Sequence, residues 1–169
     1  GYIVAGSTRS FGSGEDDAWV LKLNGDGSIA WRKTYGTVTI EGALSIQQTT
    51  DGGYIVAGSA GTPLIDGGGI SDMWALKLSG DGSVAWQRTY GDWDVNIDYA
   101  SSIQQTADGG YIVGGTWGYG SGNGAFWALK LSGDGSVVWQ KAYGGANDEE
   151  ASSIQQTADG GYIMAGYTY

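Results

Sequence analysis

An all-β chain built from repeated four-stranded antiparallel meanders is the fold this sequence predicts, and three observations carry it. The run Asp-Gly-Gly-Tyr-Ile-Val/Met-Ala/Gly recurs with its tyrosine at Tyr54, Tyr111 and Tyr162, and Tyr2 stands in the same Gly-Tyr-Ile-Val-Ala-Gly setting. Trp19, Trp74 and Trp127 each open Trp-Val/Ala-Leu-Lys-Leu, while Trp31, Trp86 and Trp139 each stand four residues after the second glycine of Gly-Asp-Gly-Ser. The repeat is about 50–57 residues long, a period at which each unit is one supersecondary element that buries its faces against its neighbours.

Within the second unit the elements follow in order. Residues 43–49, 54–59, 74–78 and 84–90 are rich in Ile, Val, Tyr, Trp and Thr and are bounded by Gly, Asp, Asn or Ser, which predicts four short strands and no helix. Between the first two strands, Asp51-Gly52-Gly53 (and Asp108-Gly109-Gly110, Asp159-Gly160-Gly161) predicts a hairpin turn. Between the last two, Asn24-Gly25-Asp26-Gly27 and its two Ser-Gly-Asp-Gly counterparts predict another, since glycine supplies the positive φ of tight hairpins. The 33 glycines are thus mostly turn chemistry. The other two connections of each unit vary in length, whereas the two tryptophans of a unit are always 12 residues apart. Trp74, Leu76 and Leu78 alternate with Ala75 and the stem of Lys77, so both faces of the sheet are expected to be covered.

Four-stranded meanders packed face to face are the blades of a β-propeller. The chain reads as one repeat domain over 1–169, with units at 1–52, 53–109 and 110–160 and a partial unit at 161–169. Propellers close with four to eight blades, so three units and a strand predict an incomplete ring, completed by self-association or by further repeats of a parent chain. A β-trefoil or β-prism is the alternative threefold architecture.

The third hairpin resembles two propeller families. Leu76-Lys77-Leu78-Ser79-Gly80-Asp81-Gly82-Ser83-Val84-Ala85-Trp86 is similar to the tryptophan-docking motif of quinoprotein-type propellers, keeping Gly-x-x-x-Trp but with Leu78 where that motif has an acid. Ser79-x-Asp81 followed by Trp86 also resembles the Asp-box of sialidase-type propellers, with Ser83 in place of its glycine. Both resemblances imply blade braces rather than active sites. The whole unit further resembles the Asp-Gly-Gly-Tyr-Ile-Val-Ala-Gly repeats of large secreted archaeal and bacterial proteins, which implies an extracellular or cell-surface location.

Composition narrows the chemistry. The 169 residues include no cysteine and no histidine, which removes disulfides, Cys/His zinc sites and Cys or His catalysis. No apolar run is long enough to span a membrane as a helix. The formal net charge is −10. Six of the 18 acids sit in fixed turns, and the other twelve lie in variable loops against one cation there, Arg9. Alternate turns of a meander project from opposite ends, so these twelve are expected on one acidic face that repels nucleic acid and anionic lipid. Trp93, Tyr99, Trp117 and Tyr119 share that face. Aromatic rings beside carboxylates are what a carbohydrate site uses, and these four are the predicted ligand-binding residues, with protein the other ligand class.

Asp92, Asp94, Asn96 and Asp98 place oxygen side chains at alternate positions, a spacing that suits calcium, although Ile97 stands where a calcium loop has glycine. A solvated extended strand predicts the same period. Calcium is therefore the one candidate cofactor. Gly118-Tyr119-Gly120-Ser121-Gly122-Asn123-Gly124 lacks the spacing of a dinucleotide fingerprint and reads as a loop. No carboxylate pair stands out, so the expected function is a non-enzymatic extracellular module for binding or assembly. The alternative is a fragment of a carboxylate-dependent glycoside hydrolase propeller.

Overall fold

The computed structural model describes residues 1–62, 70–91, 97–119 and 124–169, apart from the side chains of Thr62 and Tyr119. Among them are thirteen strands and no helix: β1 (Tyr2–Thr8), β2 (Asp17–Leu23), β3 (Ile29–Tyr35), β4 (Ile40–Gln48), β5 (Tyr54–Thr62), β6 (Ile70–Leu78), β7 (Val84–Tyr90), β8 (Ile97–Gln105), β9 (Tyr111–Tyr119), β10 (Ala125–Leu131), β11 (Val137–Tyr143), β12 (Glu149–Gln156) and β13 (Tyr162–Thr168). Strands β4 to β7 pair in sequence as an antiparallel meander, and β8 to β11 repeat it. Strands β1 to β3 and the pair β12–β13 form two smaller sheets. One parallel bridge, Ser71 to Ile97, joins the two complete meanders, and every sheet is open. The all-β class is as the sequence predicts.

The fixed turns form where glycine allows them. Gly52 sits at φ 81° and donates its N–H to the Thr49 carbonyl at 2.9 Å, while the Asp51 carboxylate takes the Gly53 N–H at 2.9 Å. Gly82 does the same in the other hairpin, at φ 79°. Toward the variable loops the strands run further than their composition suggests. Ile40 pairs with Gly61 and Ile70 with Thr62, because the ladder continues through small residues of low strand propensity once its register is set.

Alternation divides the apolar side chains between two interfaces. Trp74, Leu76 and Leu78 pack toward the first unit against Val20 and Tyr35. Ile55, Met73 and Ala75 point the other way, against Ile103, Val113 and Leu129 of the meander β8 to β11. Ile112 and Ala128 continue the series against Ile154 and Met164. The core therefore lies between sheets.

The residues that mark the repeat meet across these boundaries. Trp31 and Tyr54, Trp86 and Tyr111, and Trp139 and Tyr162 form T-shaped pairs, with centroids 5.9, 5.9 and 5.6 Å apart. This T-shaped geometry sets the positive ring edge against the negative face. Tyr35 donates its hydroxyl to the Gly82 carbonyl at 2.7 Å, and Tyr90 donates to Gly135 at 2.8 Å. Burial pushes the Tyr35 phenol up to about 12 and the Tyr90 phenol higher still. The Trp86 indole N–H reaches the Gly133 carbonyl at 3.1 Å.

Strand β8 lies against both β4 and β12, but side chains rather than a ladder join them. Gln47 Oε1 accepts the Gln105 N–H at 2.7 Å, and Gln105 Oε1 accepts the Thr50 N–H at 2.8 Å. The next boundary repeats this with Gln104 taking the Gln156 N–H and Gln156 the Ala107 N–H, both at 2.9 Å. Edge amides that would otherwise invite a foreign strand are occupied.

Each complete unit also carries one internal ion pair. Lys77 Nζ lies 2.9 Å from Asp51, and Lys130 Nζ lies 3.0 Å from Asp108. The hydroxyls of Thr49 and Thr106, and then these lysines, hold both carboxyls well below the usual carboxylate range.

Two outcomes are expected. Tyr90→Phe leaves the buried Gly135 carbonyl without its donor and should cost about 1–2 kcal/mol in urea unfolding, with little change of m-value. Because Asp51 and Asp108 have depressed folded pKa values, their stabilisation is complete above the unfolded value of about 4 and is lost as pH falls below it. Acid titration of the Asp51→Asn/Asp108→Asn variant should show a shallower loss of stability below about pH 4 than the parent shows.

Candidate functional site

The variable ends of the strands carry the groups that the sequence singles out, and the meander sorts them onto different faces. Tyr99 pairs with Thr116, whereas Trp117, the next residue on β9, pairs with Ala125. Adjacent strand residues point to opposite faces, so Tyr99 and Trp117 do not share a site. Trp93, Asp92, Asp94 and Asn96 lie outside the described residues. Tyr119 closes β9, its side chain equally outside.

Tyr99 turns toward β12. Its hydroxyl donates to Glu150 Oε2 at 2.6 Å, and Tyr167 and Tyr169 donate to the same carboxylate at 2.7 and 2.8 Å. Burial opposes ionisation of Glu150, yet the three hydroxyls outweigh it and hold the carboxyl below its ordinary value. The same contacts raise the phenols of Tyr167 and Tyr169. Tyr99 is therefore a donor engaged within the protein.

Trp117 keeps a free surface, with 40% of its area exposed. It stands at the rim of a groove of about 260 Å³ lined also by Gly91, Trp127, Gln140, Lys141 and Ala142. One unit earlier, Gly36, Ala60, Trp74, Gln87, Arg88 and Thr89, together with Thr37, Thr39 and Glu41, line a groove of about 320 Å³ at the equivalent place. The first six correspond to the lining beside Trp117: a glycine, a buried tryptophan, a glutamine and a cation recur, Thr89 is matched by Ala142, and Ala60 is replaced by Trp117. Sequence reading finds Trp117 by its loop-side position, but misses Gln140 and Lys141 because they lie within a strand and look like ordinary solvated residues.

Which of the loop acids are buried is decided by the structure and not by the sequence. Asp17, Glu41, Asp72 and Asp98 are buried. Asp17 Oδ2 accepts the Ser13 and Gly14 N–H groups at 3.0 and 3.2 Å, and Glu41 accepts the Thr37 N–H at 3.0 Å and the Thr37 hydroxyl at 2.9 Å. Asp98 Oδ1 accepts the Gly118 N–H at 2.8 Å, Asp148 that of Gly124 at 2.6 Å, and Glu149 that of Gly145 at 2.9 Å. Irregular backbone has amides with no ladder partner, and these carboxylates satisfy them.

Carboxylates also approach one another at two boundaries. Asp17 and Glu41 oxygens both lie within 2.7 Å of the point a Gly36 side-chain carbon would occupy, and Asp72 and Asp98 oxygens within 3.0 Å of that point at Gly91. A side chain has no room at either glycine. Asp17 and Glu41 are already engaged by loop donors, which suits bracing better than proton transfer. Among the described residues no group of three or more carboxylates is placed to hold a metal ion. No family model and no curated protein matches the chain.

Thermal melts across a calcium series check the 92–98 loop. Binding there should raise the Tm with calcium concentration in the parent and not in Asp94→Ala. A parent without any calcium-dependent shift ends that assignment.

Proposed function

We propose that this chain is a propeller-type repeat module of the cell exterior that binds carbohydrate without catalysing a reaction, through the groove beside Trp117. The propeller reading is supported by the recurrence of one interface at successive sheet boundaries: a T-shaped Trp–Tyr pair, Tyr hydroxyl to the next hairpin's glycine carbonyl, and glutamine clamps between first strands. It is also supported by the repeat's resemblance to secreted Asp-Gly-Gly-Tyr-Ile-Val-Ala-Gly proteins.

The exposed indole of Trp117 over a polar groove is the observation that carries the ligand class. An indole stacks on the apolar face of a pyranose ring, and beside it Gln140 offers both a donor and an acceptor while Lys141 donates. Such a site holds hydroxyls at its rim and one sugar face on its ring. Among the described residues its lining includes no carboxylate, whereas hydrolysis of a glycoside uses two.

A glycan array on the parent chain, followed by titration of the best glycan against Trp117→Ala, tests the reading. Affinity should fall by about tenfold or more while stability changes by less than about 1 kcal/mol, because the ring is outside the core. Trp74→Ala, in the core, should instead cost about 3–5 kcal/mol. Retained glycan binding by Trp117→Ala refutes the assignment.

A further inference from the structure

Strands β1 and β13 are the same element twice. β1 reads Tyr-Ile-Val-Ala-Gly-Ser-Thr and β13 reads Tyr-Ile-Met-Ala-Gly-Tyr-Thr. Each occupies the second place of a unit, and each is paired on one edge: β1 with the third strand, β2, and β13 with the first strand, β12. What one lacks, the other has.

The surfaces beside them are complementary in the same sense. On the first unit, Tyr2 and Val4 are exposed and Trp19, Leu21 and Leu23 half-buried, although their counterparts Trp74, Leu76 and Leu78 are buried under the preceding unit. On the third unit, Tyr143 is 55% exposed, whereas its counterparts Tyr35 and Tyr90 are buried and bonded to Gly82 and Gly135 of the following hairpin. The hairpin equivalent to those two in the first unit ends at Gly27. Charge follows the same rule. Asp51 meets Lys77 and Asp108 meets Lys130, but among the described residues Asp159 meets no lysine and Lys22 no carboxylate. By position in the repeat, Asp159 and Lys22 are each other's partners.

We propose that a second copy of the chain completes the unit that β12 and β13 begin. β13 of one copy takes the place of β1 against β2 of the other, giving a four-stranded unit β12–β13–β2–β3 drawn from both. Asp159 then pairs with Lys22 of the other copy, Tyr143 donates to its Gly27 carbonyl, and Ile163, now 60% exposed, becomes half-buried as Ile3 is in the first unit. Made twice, with β1 of each copy displaced from β2, this exchange closes two copies into six four-stranded units and leaves only the two β1 strands outside them, within the range in which propellers close. It rests on the repeat reading above but is independent of any glycan.

The test is the native mass of the full chain by light scattering over a dilution series. The parent should have twice the 17.5 kDa of one chain. Lys22→Glu alone and Asp159→Lys alone each set like charges together, and should weaken the pair by about tenfold or more. Mixing these two variants gives one native and one reversed ion pair, so they should associate with each other. A parent of 17.5 kDa at every concentration, or a pair indifferent to both reversals, overturns the proposal.

Should a charge variant fail to fold, the Val20→Cys/Ala165→Cys variant of this cysteine-free chain reports the register directly. Ala5 faces Val20 in β1–β2, so Ala165 of the exchanged strand faces Val20 of the other copy at a spacing a disulfide spans. A reducible dimer on oxidation supports the exchange. A disulfide within one chain shows closure of the chain on itself, and no disulfide shows no exchange, and either result overturns the proposal. Failure of glycan binding with the expected mass would sink only the carbohydrate reading.

Discussion

A sheet that is apolar on both faces, in a chain with no helix among its described residues, can be covered only by other sheets. Everything else in the structure follows from that constraint. Trp74 and Leu76 need a neighbour on one side while Ile55 and Met73 need one on the other, so each unit is half of two cores and the whole of none. Burial of this kind supplies most of the driving force but is indifferent to angle and register. The directional contacts that set the angle are few and repeated: an indole and a phenol in a T-shaped pair, and a phenol hydroxyl on a glycine carbonyl. Only glycine at 82 and 135 lets the carbonyl come so close, since a side-chain carbon there would meet the indole or the arginine stem of the unit before.

The same economy governs charge. A loop that leaves the ladder exposes amides, and in this molecule the nearest carboxylate is recruited to receive them. Asp17, Glu41, Asp98, Asp148 and Glu149 are all used in this way, on different units and in loops of different length. The acidity of the chain is thus in good part a property of its irregular backbone, and only the remainder is field offered to a partner. Lys77 and Lys130 play the converse part, each reaching the carbonyl of its own following leucine as well as an aspartate of the turn.

What the sequence makes legible divides along the same lines. Period, strand order and the two-sided faces can be read because Tyr54, Trp74 and Trp86 recur at constant spacing, and because alternation alone decides which of Trp74 and Ala75 faces which neighbour. Positions of loop carboxylates cannot be read, because a solvated aspartate and one capping an amide look alike in a polar, glycine-rich stretch. Asp17 and Asp98 belong to the second kind. Strand ends were similarly hidden: Gly61 and Ser71 have no preference for a ladder, yet are held in one by residues on either side. For the site, Trp117 was visible as an aromatic beside a loop. Its separation from Tyr99 was not, since it depends on the register that sets Tyr99 against Thr116.

The glutamine clamps between first strands have a consequence for arrays of other lengths. Gln47 with Gln105, and Gln104 with Gln156, are contacts between adjacent units alone, made by a Ser-Ile-Gln-Gln sequence present in each unit. Neither boundary borrows a residue from a unit further away. An array longer or shorter by one whole repeat therefore carries the same glutamine clamp at its new join as at every other.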